Sequence, residues 1–264
     1  MNIISYILII LLSILTTIIF VSIILYSDRK TREPSHMILI CLLSGAFTIG
    51  LSLLLGQIVL PKLDIISSGL FSYNINSTIK ILLLALVEEY SKLLVLYLFI
   101  SKNSNFDDIY DGFVYATLIS LSFAAFESLI YVLNEPNFQS MASLALLRGI
   151  TTIPLHLMCG IAMGYYIGVE KFTFGTFRRI KYLILSLLIP SIMHFLYNYC
   201  LSNMIVIFKN DRMLVIIMMV IFIPFYIISI CYIETIKKLN EKFSKNIKYK
   251  NLMTQKEYNK IINN

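Results

Sequence analysis

Three ionisable residues lie in the middle of an otherwise apolar stretch, and their types and spacing suit acid–base chemistry. The stretch, residues 82–99, carries Glu88, Glu89 and Lys92 near its centre. On a helix, Lys92 can reach either carboxylate, because it follows them by four and three residues. Such a cluster holds one carboxylate ionised and leaves the other free to carry a proton, as acid–base hydrolysis requires. A purely structural ion pair is the alternative, although apolar side chains would serve stability equally well.

Two further charged residues lie inside neighbouring apolar stretches. Glu127 belongs to residues 111–133 and Arg148 to residues 143–168. A lone carboxylate in lipid is costly, so Glu127 is expected to face the interior of a helix bundle. Arg148 is interpreted as a counter-ion for one of the carboxylates.

His156 lies on a stripe of small residues. Thr152, His156, Gly160 and Gly164 recur at every fourth residue, which gives one narrow helix face suited to close helix approach. Two interpretations of His156 stay open, a direct role in a polar site and a hydrogen-bonded packing role.

His194 and Asn198 follow Pro190 at intervals of four residues in the stretch 182–207. Proline removes a backbone hydrogen bond and bends a helix, which in membrane proteins often accompanies a cavity. A histidine and an amide one turn apart can carry a proton and donate a hydrogen bond to an oxyanion. The pattern gains weight because the polar groups of all these stretches are expected at compatible depths.

Membrane helices must position these residues. The 264 residues are 58% hydrophobic and 14% charged, whereas soluble domains carry about 25% charged residues. We expect an all-α, polytopic bundle with about seven transmembrane helices. The predicted spans are 3–26, 37–60, 77–100, 111–133, 143–168, 182–207 and 213–235, which form one transmembrane domain (1–235) followed by a tail (236–264). The four cysteines lie in apolar stretches without zinc-like spacing, so neither disulfides nor metal ligands are expected.

The distribution of positive charge predicts the orientation. Lys and Arg are concentrated in the loops after the first and fifth predicted spans and in the tail. The N-terminus is therefore expected outside and the C-terminus in the cytoplasm. Two interpretations of the basic tail stay open, a helix on anionic membrane lipids with Leu239, Phe243 and Ile247 on one face, and a solvated tail that only enforces the topology. No nucleic-acid partner is expected, because the basic residues are dispersed and form no reader motif.

Several motifs together resemble the PrsW family of intramembrane proteases. They are EPSHM at 33–37, EEYSK at 88–92, DGFVYATLISLSFAAFES at 111–128, RGITTIPLHLMCGIAMGYYIG at 148–168 and PSIMHFLYN at 190–198. The PrsW family is related to the CAAX prenyl endopeptidase and bacteriocin-immunity superfamily of glutamate-dependent membrane proteases. The resemblance implies a multi-pass enzyme of the bacterial plasma membrane. It also implies a site-1 cut in a single-span anti-sigma factor, which starts the release of a sigma factor during a stress response.

The resemblance assigns roles to individual residues. It implies that Glu88 and Glu89 are the diglutamate, Glu127 the glutamate of the second motif and His194 the histidine of the fourth. The chain departs from the family pattern at four positions, which are Ser128, Ala116, Ser122 and Asn198.

The resulting hypothesis is a glutamate-dependent intramembrane protease without a cofactor. Glu88, supported by Glu89 and Lys92, activates water, His194 assists as an acid or an orienting group, and Asn198 donates to the oxyanion. One alternative is a metal-dependent membrane endopeptidase, in which zinc is held by Glu88, Glu127, His156 and His194. Another is a proton-coupled carrier, because ionisable residues inside membrane helices also mark ion pathways.

Overall fold

The structure is a computed structural model of the chain. It describes residues 3–28, 32–67, 73–173 and 175–207, and helical residues at 220, 223–224, 227, 229–238 and 241. The predicted seventh span and the tail lie mostly outside these residues. The described part is all-helical, as predicted. Its helices are α1 (Ile3–Ser27), α2 (Ser35–Ser67), α3 (Tyr73–Val95) with a π-helical continuation (Leu96–Ile100), α4 (Ile109–Leu133), α5 (Phe138–Ile150), α6 (Thr152–Lys171) and α7 (Thr176–Ile207).

Five helical segments of the described chain are long and apolar enough to cross a membrane. They are Ile3–Ser27, Ser35–Pro61, Ile109–Leu133, Phe138–Lys171 and Thr176–Ser202. The predicted third span corresponds to α3, which is not among these five segments. Its apolar composition is interrupted by Glu88, Glu89 and Lys92. The count of seven spans and the orientation of the termini therefore stay predictions.

The predicted fifth span lies within one apolar segment, Phe138–Lys171, which consists of two helices. α5 ends at Ile150 and α6 begins at Thr152, with Thr151 between them. Pro154 explains the break, because it has no backbone N–H to donate to the carbonyl of Ile150 and is best tolerated in the first turn of a helix. Backbone hydrogen bonds from Thr151 to Leu147 and from Leu155 to Thr151 still bridge the junction.

Helix α4 is the centre of the bundle and most of its residues are buried. Asp108 caps its first turn by accepting a hydrogen bond from the backbone N–H of Asp111 at 3.0 Å. Asp111 in turn accepts from the backbone N–H groups of Asp107 (2.7 Å) and Asp108 (2.8 Å). This reciprocal capping fixes where α4 begins and satisfies backbone donors that a helix terminus leaves open.

Helices α4 and α6 approach closely through glycines, as the small-residue stripe predicted. A Cβ atom added to Gly160 would lie 2.9 Å from Thr117 Cα, and one added to Gly164 would lie 2.7 Å from Phe113 Cα. Such distances leave no room for a side chain, so the two backbones are in contact. Ser120 on α4 also donates a hydrogen bond to the carbonyl of His156 at 2.6 Å. This hydrogen bond fixes the height of His156, which belongs to α6, relative to α4.

Helix α7 continues through Pro190 and places His194 against α3 and α6. Cys159 of α6 lies against the Pro190 carbonyl, with 3.6 Å between sulfur and oxygen. The four cysteines are free thiols in this structure. Cys41 and Cys159 are buried packing residues, whereas Cys231 is exposed.

Candidate active site

The polar residues singled out in the sequence converge between α3, α4, α6 and α7. Glu89, Lys92 and His156 are completely buried (0% exposed), Glu88 is 7% exposed and His194 is 3% exposed. Side chains of this polarity are rarely so buried unless they are paired. Their hydrogen bonds therefore show which of them stabilise one another and which are left available.

Lys92 organises one side of this cluster. Its Nζ donates to Glu89 Oε1 at 2.7 Å and lies 3.0 Å from His156 Nδ1. The same ammonium group lies 4.2 Å from the centre of the Phe123 ring. Because an ammonium group can only donate, Nδ1 of His156 must be the acceptor, and the imidazole proton is on Nε2.

That Nε2–H group points to Glu127. The distance from His156 Nε2 to Glu127 Oε2 is 3.3 Å. Arg148 at the end of α5 donates to the same carboxylate oxygen at 2.6 Å and to Ser128 Oγ at 3.0 Å. Arg148 is thus placed as the counter-ion of Glu127, and Ser128 helps to orient it.

His194 links the two adjacent glutamates of α3. Its Nδ1 lies 2.8 Å from Glu89 Oε1, and its Nε2 lies 3.7 Å from Glu88 Oε2. Glu89 Oε1 therefore receives hydrogen bonds from both Lys92 and His194. With its proton on Nδ1, His194 presents the lone pair of Nε2 to Glu88.

Glu88 and Glu89 each have an Oε2 atom that is buried without a hydrogen-bond partner among the described residues. Glu89 is held through its Oε1 atom by Lys92 and His194, whereas the Oε2 atom of Glu88 faces His194 Nε2. Two electron-rich atoms, Glu88 Oε2 and His194 Nε2, thus face each other at a distance too long for a hydrogen bond. A proton, a water molecule or a cation between them would relieve this arrangement.

The summed charge of the cluster also indicates that a proton or a cation is held there. Glu88, Glu89 and Glu127 contribute three negative charges, and Lys92 and Arg148 two positive charges, when both histidines are neutral. One negative charge is left in a buried environment, where an uncompensated charge is costly. A proton on His194 or a bound cation would neutralise it.

The donor atoms also fit a metal ion. Glu88, His156 and His194 each offer one donor atom, and these atoms all lie within 4.8 Å of one another. A carboxylate with two imidazoles is a common catalytic zinc set. His194 also donates its other ring N–H to a carboxylate, as metal-binding histidines usually do. His156 has both nitrogens in hydrogen bonds, so it would join such a set only by giving up one of them.

Asn198 is not joined to this cluster. It lies one turn after His194 on α7, and among the described residues no hydrogen bond connects its amide to the other site residues. The neighbouring residue Tyr197 is the better connected, because its hydroxyl group hydrogen-bonds with Thr151 and Thr152 at 3.0 and 2.8 Å. Tyr197, which was not predicted from the sequence, connects α7 to the junction of α5 and α6.

The sequence of the chain is similar to proteins of one family. Residues 33–228 match the family described as PrsW family intramembrane metalloprotease, which is well over half of the chain. A relative from Oceanobacillus iheyensis, Protease PrsW, is 32% identical over 182 residues, which cover 68% of this chain and 76% of the relative. Protease PrsW of Clostridioides difficile is 30% identical over 174 residues, covering 66% of this chain and 71% of the relative.

A third relative, Protease PrsW of Bacillus subtilis, is 29% identical over 175 residues, covering 66% of this chain and 74% of the relative. No solved structure matches the chain. The matched region contains every residue of the polar cluster, from Glu88 on α3 to His194 on α7. The chain therefore belongs to the PrsW family of intramembrane proteases and is a membrane-embedded peptidase.

Proposed function

We propose that the chain hydrolyses a peptide bond of a single-span membrane protein with Glu88 as the general base. The observation that carries this proposal is the unpartnered, buried Oε2 atom of Glu88, which faces His194 Nε2 at 3.7 Å. A water molecule held by these two acceptors would lose a proton to Glu88 as its oxygen attacks the carbonyl carbon. The carbon–nitrogen bond of the tetrahedral intermediate then breaks, and the proton passes to the departing amine.

The other residues act on this pair. Glu89 accepts the Nδ1–H group of His194 and so keeps its Nε2 lone pair on the side of Glu88. Lys92 balances the charge of Glu89 and fixes the tautomer of His156. Asn198, one turn beyond His194, is the proposed hydrogen-bond donor to the oxyanion. Glu127 and Arg148 form the adjacent ion pair that orients His156.

A metal-dependent form of the same reaction is the second candidate. It is favoured by the mutual proximity of the Glu88, His156 and His194 donor atoms and by the family description, which includes the word metalloprotease. A zinc ion held by these donors would supply a Lewis acid and a more acidic bound water. In that form Glu89 and Lys92 keep their orienting roles. Membership of a peptidase family argues against the proton-coupled carrier.

The proposed substrate is a single-span anti-sigma factor, and the proposed reaction is its site-1 cleavage in the plasma membrane of a bacterium. This part rests on the resemblance to the PrsW family, whose curated relatives in the comparison are bacterial proteins named as proteases. A peptide bond inside a membrane helix is shielded by hydrogen bonds. Cleavage is therefore expected next to a residue that disrupts the substrate helix or at its membrane boundary.

Co-expression with a tagged single-span substrate, followed by sizing of the fragments, tests the proposal. Glu88→Gln keeps the volume and polarity of the side chain but removes the base, so cleavage should fall by about 100-fold or more. The matched control is Glu170→Gln, which alters an equally buried carboxylate on α6 that pairs with Arg179 outside the site. Cleavage by Glu88→Gln at the wild-type rate, with equal protein in the membrane, would contradict the proposal.

Two measurements separate the glutamate and metal forms. The purified protein is analysed for bound metal, and cleavage is repeated with 1,10-phenanthroline, which sequesters zinc. One zinc per chain and loss of cleavage that zinc restores would support the metal form. Metal-free protein that cleaves at the same rate with the chelator would support Glu88 acting alone.

A further inference from the structure

A cleft of about 410 Å³ lies between α2, α3 and α4, and the two site carboxylates Glu88 and Glu127 form part of its wall. The remaining lining is mainly apolar and comes from residues 49–61 of α2, Leu84 of α3 and residues 123–131 of α4. We propose that this cleft receives the apolar side chains of the substrate next to the scissile bond, with Gly56 setting their size. The inference rests on the proposed peptidase function and identifies the part of the substrate that the site selects.

The cleft exists because α2 and α4 diverge. Near its first turns, α2 is in close contact with α4, since Ser122 Oγ donates to the carbonyl of Leu42 at 2.6 Å. A Cβ atom added to Gly45 would lie 2.5 Å from Ser122 Cβ. The helices run in the same direction, yet a Cβ atom added to Gly56 would meet nothing within 4 Å.

Gly56 is therefore unlike the other packed glycines. It is buried, it lines the cleft, and it lacks the close backbone neighbours that explain Gly160 and Gly164. A glycine inside a helix destabilises it relative to alanine. Close packing does not require a glycine here. The glycine instead keeps the space beside it empty.

The two ends of the cleft differ in polarity. Leu53 (58% exposed) and Tyr131 (51% exposed) lie at its outer rim, on the exposed surface of the bundle. Glu88 lies at the inner end, and its Oε2 atom is buried there without a hydrogen-bond partner among the described residues. Phe123 lines the cleft and also packs against Lys92, which connects the apolar lining to the catalytic cluster.

This polarity identifies the occupant. An unwound apolar segment of a membrane helix would enter from the lipid side and keep its side chains against an apolar wall as its backbone reaches Glu88. A pocket built for polar side chains would carry hydrogen-bonding groups along its length. The substrate class is therefore a membrane segment with large apolar residues beside the cut.

The test uses two designed, tagged single-span substrates. Each has a Gly-Pro break in the middle of its helix, flanked in one substrate by leucines and in the other by alanines. The wild-type protein should cleave the leucine substrate at least about tenfold faster, because missing methylene groups in an apolar pocket cost about that much. Gly56→Leu should fill the cleft, lower cleavage of the leucine substrate by about tenfold or more, and reduce the preference for leucine.

Gly50→Leu is the matched control. Gly50 lies on the same helix, and a Cβ atom there also meets nothing within 4 Å, but it is exposed and does not line the cleft. This variant should cleave both substrates within about twofold of the wild type. If Gly56→Leu retains the wild-type rate and preference while Glu88→Gln is inactive, the cleft inference is wrong and the peptidase function stands.

Photo-crosslinking gives a readout that does not need catalysis. A benzoylphenylalanine is placed at Leu53, which lines the cleft, or at the adjacent Leu54, which is similarly exposed (62%) but does not line it. In the Glu88→Gln background, the leucine substrate should cross-link at position 53 and much less at position 54. Equal cross-linking at both positions, or cross-linking of lipid alone at position 53, would overturn the inference even if neither substrate is cleaved.

Discussion

Replacing Lys92 with methionine should destabilise the fold and impair catalysis, and the two effects can be separated. In the wild type, Lys92 is 0% exposed and pairs with Glu89, which is equally buried. Lys92→Met keeps the length of an unbranched side chain but leaves Glu89 charged in a buried site. The net charge of the cluster with neutral histidines then changes from one negative charge to two.

The expected loss of stability follows from this unpaired charge. Removing one partner of a buried ion pair costs about 3–5 kcal/mol. For a chain of this size, that loss lowers the midpoint of thermal unfolding by roughly 6–20 °C. The folded state should survive, since a stable domain has about 5–15 kcal/mol available.

The double variant Glu89→Gln/Lys92→Met restores the net charge and removes both ions of the pair. Its unfolding midpoint should recover most of the loss, because a neutral replacement of a buried pair is often no less stable. Cleavage should not recover, since His194 loses its anionic partner and His156 loses the donor that fixes its tautomer. We expect both variants to cleave at least about 100-fold more slowly than the wild type.

The assay measures thermal unfolding in detergent by circular dichroism and cleavage of a co-expressed substrate in membranes with equal amounts of each variant. Two results would refute the reasoning. A double variant no more stable than Lys92→Met would show that the unpaired charge is not the source of the loss. Wild-type cleavage by a well-inserted Lys92→Met protein would show that Lys92 does not support the site.

Three further results are expected. Gly164→Ala should lower the free energy of unfolding by about 1–3 kcal/mol, because its methyl group would lie 2.7 Å from Phe113 Cα. Gly50→Ala is the control and should not lower it, because a methyl group there would lie in open space. Thermal unfolding of both variants checks this prediction. Burial raises the pKa of Glu33, so the folded state binds a proton more tightly than the unfolded state does. Stability should therefore fall as the pH rises through the raised pKa. Unfolding midpoints measured across pH should show this fall in the wild type and a flatter profile in Glu33→Gln. A reporter after Lys250 should be cytoplasmic and one near Ser72 external, and reversal of both would overturn the predicted orientation.

The helical nature of the chain and the identity of its polar cluster could be predicted from the sequence, because both depend on local patterns. An apolar stretch interrupted by Glu88, Glu89 and Lys92 is unusual wherever it occurs. The small-residue stripe on α6 similarly predicted close helix approach before its partner helix was known.

The pairing within the cluster could not be predicted. Lys92 can reach Glu88 or Glu89 on an isolated helix, and the choice of Glu89 depends on how α3 is rotated against α6 and α7. The partner of Arg148 is likewise set by packing between α5 and α4. The break at Thr151 was missed because the apolar pattern continues through it, although Pro154 was a visible signal.

The rotation of α3 also explains why two adjacent glutamates have different surroundings. Consecutive residues on a helix point about 100° apart, so a single helix can direct one carboxylate into a bundle and the next toward a neighbouring cleft. Glu89 faces Lys92 and His194, and one of its oxygens receives hydrogen bonds from both. Glu88 lines the cleft and has no hydrogen-bond partner for Oε2 among the described residues. In the proposed mechanism, Glu89 therefore orients His194 through Oε1, and Glu88 is the carboxylate beside the cleft that would contact both a water molecule and an entering peptide.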